Sequence, residues 1–518
     1  MKIEYICHAC LSIDTGDLRI LTDPWFRGSA YCGQWNVFPK PVNLHAVADT
    51  QVLLLSHGHE DHFHSRSLEM VPKTARVLYP YTWYGGVTHY LKELGFEDVA
   101  EAATHKTFRL TPHTAVTYLV NSLDSIMVIE SHDKVFVNVN DALHAYPTPI
   151  IDVFTAYIRH RWPRIDTVFC GFGGASYFPN TVHCDGKNDL EIAEAREQMF
   201  VHAFCRIVHR LKPAVAVPFA ADFALLRPRQ RWINEARFPR ARIAEYYRIV
   251  YGDSPGNPQI HAMYPGDVLF DNALQPTSPY RQQLHSGNLL HLIDKQYAEE
   301  IAALETQACI SEFEIEDLER ALLRNLLLRA RLFSPEMLRR IEFTVRVSDI
   351  RERPFFNISL RSGEPRVERG ATRAPDSILE IEARSDMLQY SFSSDWGGDA
   401  ITIGYGCEIE VFEQEAVKTN LDVICVQLLT RFPIASQQWR KEPVRLARYL
   451  LSSPFNRNLG ARAAWNRVRG KPSPGNTASD KMREWLFRTK CDVCRACDLP
   501  LLNWRFAETL PRSTELSA

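Results

Sequence analysis

Short β-branched and aromatic runs alternate with longer amphipathic ones through the first half of the chain. "RILTDPW", "QVLLLSHG", "RVLYPY", "SIMVIES", "KVFVNVND", "DTVFCGFGG" and "AVAVPFA" end in turn residues and read as strands. Several are apolar on both faces, which suits a sheet covered by helices. "DLEIAEAREQMFVHAFCRIVHRLKP" repeats apolar residues at helical spacing and stops at Pro213. This alternation predicts an α/β layered domain over residues 1–274. The pattern turns helical over 275–343, in "DKQYAEEIAALETQ" and "EIEDLERALLRNLLLRARLF". A β-rich block follows over 344–432, with "EFTVRVSD", "PFFNISL", "SILEIEAR", "LQYSFSSD" and "ITIGYGCEIEVF" read as strands, and predicts a smaller α+β accessory domain. Residues 433–518 read as a helical C-terminal tail interrupted by the linker "RGKPSPGNTASDK".

Composition narrows the function classes. The 518 residues are 45% hydrophobic and 24% charged, with 60 basic and 62 acidic side chains for a net charge of -2. That balance gives no reason to expect a nucleic-acid or anionic-membrane surface, so neither partner is expected. The opening "MKIEYICHACLSIDTG" lacks a basic and apolar leader, and no uncharged apolar run is long enough to span a bilayer. Most of the twelve cysteines lie singly in apolar segments, as in reduced proteins, so a cytoplasmic location is expected. Cys7 and Cys10 read as core packing, because no helix follows them. Cys491, Cys494 and Cys497 offer three thiols with no clear fourth and read as reduced cysteines on a helical turn rather than a cluster site.

The chemistry concentrates in "LLLSHGHEDHFHS". Alternate residues of a strand share a face, so His57 and His59 can aim at one ion. Asp61 and His62 follow on the turn, placed for a second ion. A lone His-x-His is usually a solvated turn; four such residues entered from "QVLLL" outweigh that reading. Imidazole and carboxylate suit zinc, iron or manganese, so one or two divalent transition-metal ions (Zn or Fe) are expected. Paired ions would polarise a substrate oxygen and activate water near neutral pH. His64, just beyond, reads as a neighbour of the site and not a ligand.

His57-x-His59-x-Asp61-His62 at a strand end resembles the metallo-β-lactamase superfamily, which implies an αββα sandwich with metals at one edge of two facing sheets. "ICHACLSIDTGDLRILTDPWF" is similar to the branch holding the ascorbate-6-phosphate lactonases and N-acylphosphatidylethanolamine phospholipase D, with His8 and Asp23-Pro24 in matching places. "ILTDPWFRGSAYCGQW", "GFGGASYFPNT", "LKPAVAVPFAADF" and, more loosely, "SDWGGDAITIGYGCEIEVF" resemble the non-Rieske portion of the CMP-N-acetylneuraminate hydroxylases. The Rieske domain of that family has no counterpart here, so an oxygenase reading needs a separate electron donor.

The superfamily implies a bridging Asp, and Asp141 at the end of "KVFVNVND" fits. It also implies a third His before "SIMVIES" and a last His after the long helix. For the third, His113 falls early, and Asn121 or Asp124 lies nearer the place. At the last, Pro218-Phe219-Ala220 puts alanine where imidazole would be; Asp222, His183 and His261 are substitutes nearby in sequence. Trp25, Phe26, Tyr31, Trp35, Tyr177 and Phe178 read as aromatic walls. Gly171, Gly173 and Gly174 offer backbone N–H groups to an anionic oxygen. The run Arg227, Arg229, Arg231, Arg237, Arg240 and Arg242 reads first as a solvated surface and second as an anion site. The substrate-binding set is thus Trp25, Gly173, Gly174 and Tyr177, with Asp61 the catalytic candidate.

These features predict a metal-dependent hydrolase acting on an ester, lactone, amide or phosphodiester of a small anionic metabolite. The alternative is an iron-dependent oxygenase acting on a nucleotide sugar or other small metabolite. A small-molecule substrate is the expected partner, and a homo-oligomer is compatible with the sequence.

Overall fold

Two facing sheets form the first part of the molecule, and strand periodicity explains how they pack. The computed structural model describes residues 1–452 apart from 122, 145, 147, 184–188, 286, 307–313, 351–353, 414–415, 417–418, 420 and 434–439. Cys491, Cys494, Cys497 and the linker at 469–481 lie outside the described residues. In the strand Asp124–Ser131, Met127 and Ile129 face the opposite sheet, while Ile126 and Val128 face the outer helices. This is the two-residue alternation of a sheet buried on both sides. Ile3, Tyr5, Leu11 and Ile13 of the other sheet meet Tyr118, Phe136, Phe169 and Val217 in the space between.

The first sheet has the order Ala273–Gln275, Val268–Phe270, Lys2–Cys7, Cys10–Asp14, Arg19–Thr22, Val52–Leu54, Arg76–Pro80, Val99–Ala102. The second runs Gln259–Ile260, Val215–Phe219, Thr167–Gly171, Lys134–Asn140, Asp124–Ser131, Thr114–Asn121, Thr107–Arg109. Helices Thr148–Arg161, Asp189–Leu211 and Ile243–Tyr251 cover the outer face of the second sheet through Phe154, Ile158, Val201, Phe204 and Tyr246. The fold is an αββα sandwich followed by further elements.

Each sheet contains a parallel set. Arg19–Thr22, Val52–Leu54 and Arg76–Pro80 run parallel in one, and Lys134–Asn140, Thr167–Gly171 and Val215–Phe219 in the other. Carboxyl ends of parallel strands are where α/β folds present loops to ligands. Asp23, Ser56 and His57 leave the first set; Asp141 and Ala220 leave the second.

A third sheet lies beyond, in the order Val182–His183, Cys407–Val411, Leu379–Ala383, Glu342–Val347, Phe355–Ser359, Arg366–Gly370. Its edge strand comes from the first 274 residues. Tyr177, Phe178, Val182 and Ile192 share its core with Leu318, Leu322 and Leu326 of the helix Ile315–Arg329. Two runs expected as strands are not. "LQYSFSSD" lies in and just after the helix Ser385–Ser393, which buries Met387, Leu388, Ser391 and Phe392 at helical spacing. "ITIG" is mostly a helical turn within Asp399–Thr402 and its exit, and the strand begins only at Cys407. No helix among the described residues is long and apolar enough to cross a membrane.

Candidate metal centre

One buried carboxylate organises the histidines. Asp23, wholly buried with a positive φ of 33°, follows the strand Arg19–Thr22. Its Oδ1 accepts the Ser56 backbone N–H at 2.7 Å. Its Oδ2 accepts the Ser56 hydroxyl at 2.8 Å and the Asn140 side-chain amide, and lies 3.4 Å from His62 Nδ1. The Ser56 hydrogen is committed to Asp23, so at 2.8 Å the His57 Nδ1 must be the donor to Ser56 Oγ. Both imidazoles therefore carry hydrogen on Nδ1 and turn a bare Nε2 inward, the arrangement a metal-ligating histidine needs.

Those inward atoms fall into two groups. His57, His59 and Asp141 place a ligand atom each within 4.8 Å of one another, and so do His8, Asp61 and His62. Asp141 Oδ2 joins them, 4.0 Å from His57 Nε2 and 3.2 Å from His62 Nε2. His57 Nε2, His62 Nε2 and Asp141 Oδ1 are buried without a hydrogen-bond partner among the described residues. Buried polar atoms are rarely left so, because each costs about 1–3 kcal/mol. A divalent cation satisfies all three, and the donor set fits one.

The electrostatics agree. Burial and the neighbouring His62 and His59 push the His57 pKa well down, so its imidazole is neutral. Burial opposes charge on His62, yet Asp61 and Asp141 outweigh it and hold its pKa well up. Burial also opposes charge on Asp61 and Asp141, yet His62 holds both well below the carboxylate range. Without an ion a proton on His62 balances these carboxylates, and a cation held there would displace it and leave Nε2 bare.

The remaining expected residues are spread more widely. Trp25 is buried in the core and meets His8 edge-on at 5.0 Å, behind the ligands. Tyr177 is buried in the core of the third sheet. Gly173 and Gly174 are packed against the long helix. A Cβ on Gly173 would lie 2.7 Å from Ala221 Cβ, and one on Gly174 2.7 Å from Phe200, while the Gly174 N–H donates to Glu197. His64 is buried and bonded to the Ser29 carbonyl at 3.1 Å.

His113 stacks on His132 at the far end of its strand from Asn121 and Asp124, which pair at the hairpin tip. His183 bonds Glu408 and Asp189 on the third sheet. His261 follows the edge strand Gln259–Ile260 and joins neither ligand group. Asp222 faces Arg240, Tyr5 and the His8 backbone N–H. Ala220, with φ 56°, donates its N–H to the His8 carbonyl at 3.2 Å. The arginine run is not simply a solvated surface: Arg240 is buried in its ion pair with Asp222, and Arg237 covers the Phe223 ring at 4.1 Å.

Several contacts of the site were not visible in the sequence. Tyr31 donates to Asp61 Oδ1 at 2.5 Å. His144 Nδ1 lies 3.2 Å from the Asp141 carbonyl, one helical turn on, a spacing that could have been noticed. Burial raises the carboxyls of Asp124 and Asp399 to about 6 and that of Glu60 to about 7; Asp399 and Asp124 both act on His59. Asp399 belongs to the accessory block, and no local signal ties it to a histidine 340 residues earlier.

With this geometry in view, comparison with known proteins defines the class. Residues 2–137 match the beta-lactamase superfamily domain. The N-terminal part of the chain is thus similar to that superfamily's domain over residues 2–137. Within that class it is similar to the cytidine monophosphate-N-acetylneuraminic acid hydroxylases. It is 23% identical to the Danio rerio protein over 254 residues, covering 45% of this chain and 40% of the relative. It is 30% identical to the Mus musculus protein over 259 residues, covering 45% and 41%. The chain thus spans less than half the length of these relatives. Among solved structures, an isothiocyanate hydrolase from Delia radicum gut bacteria is 15% identical, covers 52% of this chain and 98% of its own, and has a TM-score of 0.35.

Proposed function

We propose that this protein is a metal-dependent hydrolase of an ester, lactone, amide or phosphodiester in a small anionic metabolite. The observation that carries this reading is the set of unpartnered ligand atoms on His57, His62 and Asp141, aimed at one another inside the sandwich edge. Residues His57, His59 and Asp141 would hold one divalent ion, and Asp61, His62 and Asp141 a second. Zinc or iron bound there supplies Lewis acidity and activates water. Asp61 accepts from Tyr31 and His8 and stays ionised, so it serves as ligand and orienting acceptor, not as a store of protons.

An anionic substrate is supported by two buried guanidiniums, those of Arg196 and Arg237. Arg196 is only 1% exposed, yet its Nε and Nη1 have no partner among the described residues, and Arg237 Nη2 has none either. Arg196 lies over Phe200 at 4.8 Å, and Phe200 meets His144 at 5.3 Å. Unpaired guanidinium N–H groups fit carboxylate or phosphate oxygens.

The test is metal content and turnover together. The double variant H57A/H59A should lose bound metal while remaining folded, and the loaded wild type should cleave members of an ester, lactone, amide and phosphodiester panel. Unchanged metal content in the double variant refutes the site.

The iron-dependent oxygenase remains the second reading, favoured by the carboxylates Asp124 and Asp399 beside His59 and by the hydroxylase names of the relatives. Oxygen ligands suit iron and manganese. Iron-loaded protein that consumes dioxygen with substrate, and cleaves nothing on the panel, replaces the hydrolase reading.

A further inference from the structure

His8 sits in the second ligand group with Asp61 and His62, and distance alone makes it a ligand. Its hydrogen bonds contradict that. The Asp222 backbone N–H points at His8 Nδ1, at 3.1 Å. A backbone N–H can only donate, so Nδ1 must be the bare acceptor nitrogen. The hydrogen of the neutral ring then lies on Nε2, which is 3.0 Å from Asp61 Oδ2. A nitrogen that carries hydrogen has no lone pair for a metal. His57 and His62 show the opposite arrangement, each with Nδ1 facing an acceptor, Ser56 Oγ or Asp23.

The clamp on His8 is rigid. Its backbone N–H bonds Asp222 Oδ2 at 3.2 Å, and its carbonyl accepts from the Ala220 N–H at 3.2 Å and lies 2.9 Å from the Tyr5 hydroxyl oxygen. Asp222 is in turn fixed by Arg240 and Tyr5. Trp25 and Trp35 pack against the ring edge-on at 5.0 and 6.4 Å, and the His62 ring lies 5.4 Å away. A ring flip would put the Cδ2–H against the Asp222 N–H and the Cε1–H against Asp61 Oδ2, losing both hydrogen bonds.

We propose that His8 is a positioning residue that donates its Nε2–H to Asp61 and ligates no metal. The segment Ala220–Asp222, which supplies no imidazole of its own, holds His8 in this tautomer. Asp61, His62 and Asp141 would then be the protein ligands of a second ion. The inference rests on the reading of the cluster as a metal centre, and the experiment separates the two.

Long-range proton–nitrogen NMR on the metal-loaded, histidine-labelled protein reads the tautomer directly. The expected result is hydrogen on Nε2 of His8 and on Nδ1 of His57 and His62, with H8A and H8Q keeping the wild-type number of metal ions per chain. Glutamine can still donate to Asp61, so H8Q should restore the Asp61 carboxylate signal that H8A shifts. Hydrogen on Nδ1 of His8, or loss of an ion in both variants while H57A/H59A also loses metal, overturns the proposal and leaves the metal centre standing. Unchanged metal in H57A/H59A overturns the metal centre instead. If H8A fails to fold, the wild-type tautomer alone decides.

Discussion

The Tyr31 hydroxyl donates to Asp61 Oδ1 across 2.5 Å, and both groups are buried. Tyr31 has a positive φ of 55° and its backbone N–H bonds the Glu60 carboxylate at 2.6 Å, so the loop after Trp25 grips the metal motif at two consecutive residues. The short bond to an ionised carboxylate is of the stronger kind. Replacing Tyr31 with phenylalanine removes only the hydroxyl and leaves one Asp61 oxygen unpaired. Y31F should bind metal about 10–100-fold more weakly, the usual cost of losing a partner that orients a ligand. Competition with a chromogenic chelator measures this, and unchanged affinity would show that Tyr31 does not orient Asp61.

His183 ties the sandwich to the third sheet, with Nε2 2.6 Å from Glu408 and Nδ1 3.3 Å from Asp189. Hydrogen bonds to Asp189 and Glu408 raise its pKa from 6.5 to about 9. The proton is held more tightly in the folded chain than in the unfolded one. The stabilisation is therefore complete below about pH 6.5 and fades as pH rises through about 9. In urea titrations H183Q should be less stable than the wild type at pH 6, and the two curves should converge by about pH 10. A constant gap across that range contradicts the assignment.

Gly174 has no room for a methyl group. A Cβ there would meet Arg196 Nη1, lie 2.7 Å from Phe200 Cε2 and lie 2.8 Å from Glu197 Oε1. The Arg196 guanidinium is wedged between the Phe200 ring and the Ala175 carbonyl, so it cannot yield cheaply. G174A should lose about 1–3 kcal/mol of stability, the usual cost of overpacking. Equilibrium unfolding of the full chain reads it; a stability equal to wild type would mean that Arg196 can move aside.

Much of this was legible in the sequence because it is local. The strand ending in His57 and His59, the turn bearing Asp61 and His62, and the strand ending at Asp141 each advertise themselves within a few residues. Runs that are apolar on both faces point to a sheet covered by helices, and the αββα sandwich itself is what the resemblance to the metallo-β-lactamase superfamily implies. What sequence hid is what long-range packing decides. Asp23 looked like a turn residue after a strand, yet it orders two imidazoles more than thirty residues away. Trp25 and Tyr177 looked like pocket walls, and both are core. "LQYSFSSD" has strand-like alternation over its first residues, but burial of Met387, Leu388, Ser391 and Phe392 on one side favours a helix. Asp222 was weighed as a substitute ligand and His8 only as a residue in a matching place, and their contact shows that one holds the other.

The strand Val182–His183 hydrogen-bonds to Cys407–Val411, the Tyr405 hydroxyl reaches the Gly174 carbonyl, and the Gln34 side chain reaches the Tyr405 carbonyl. The sandwich and the accessory block therefore share one seam, and the seam runs beside the histidines. Recombination that joined this sandwich to a foreign accessory block would cut backbone pairing and expose Tyr177 and Phe178 at once. The sandwich and the accessory block are therefore one packed unit, not two exchangeable modules.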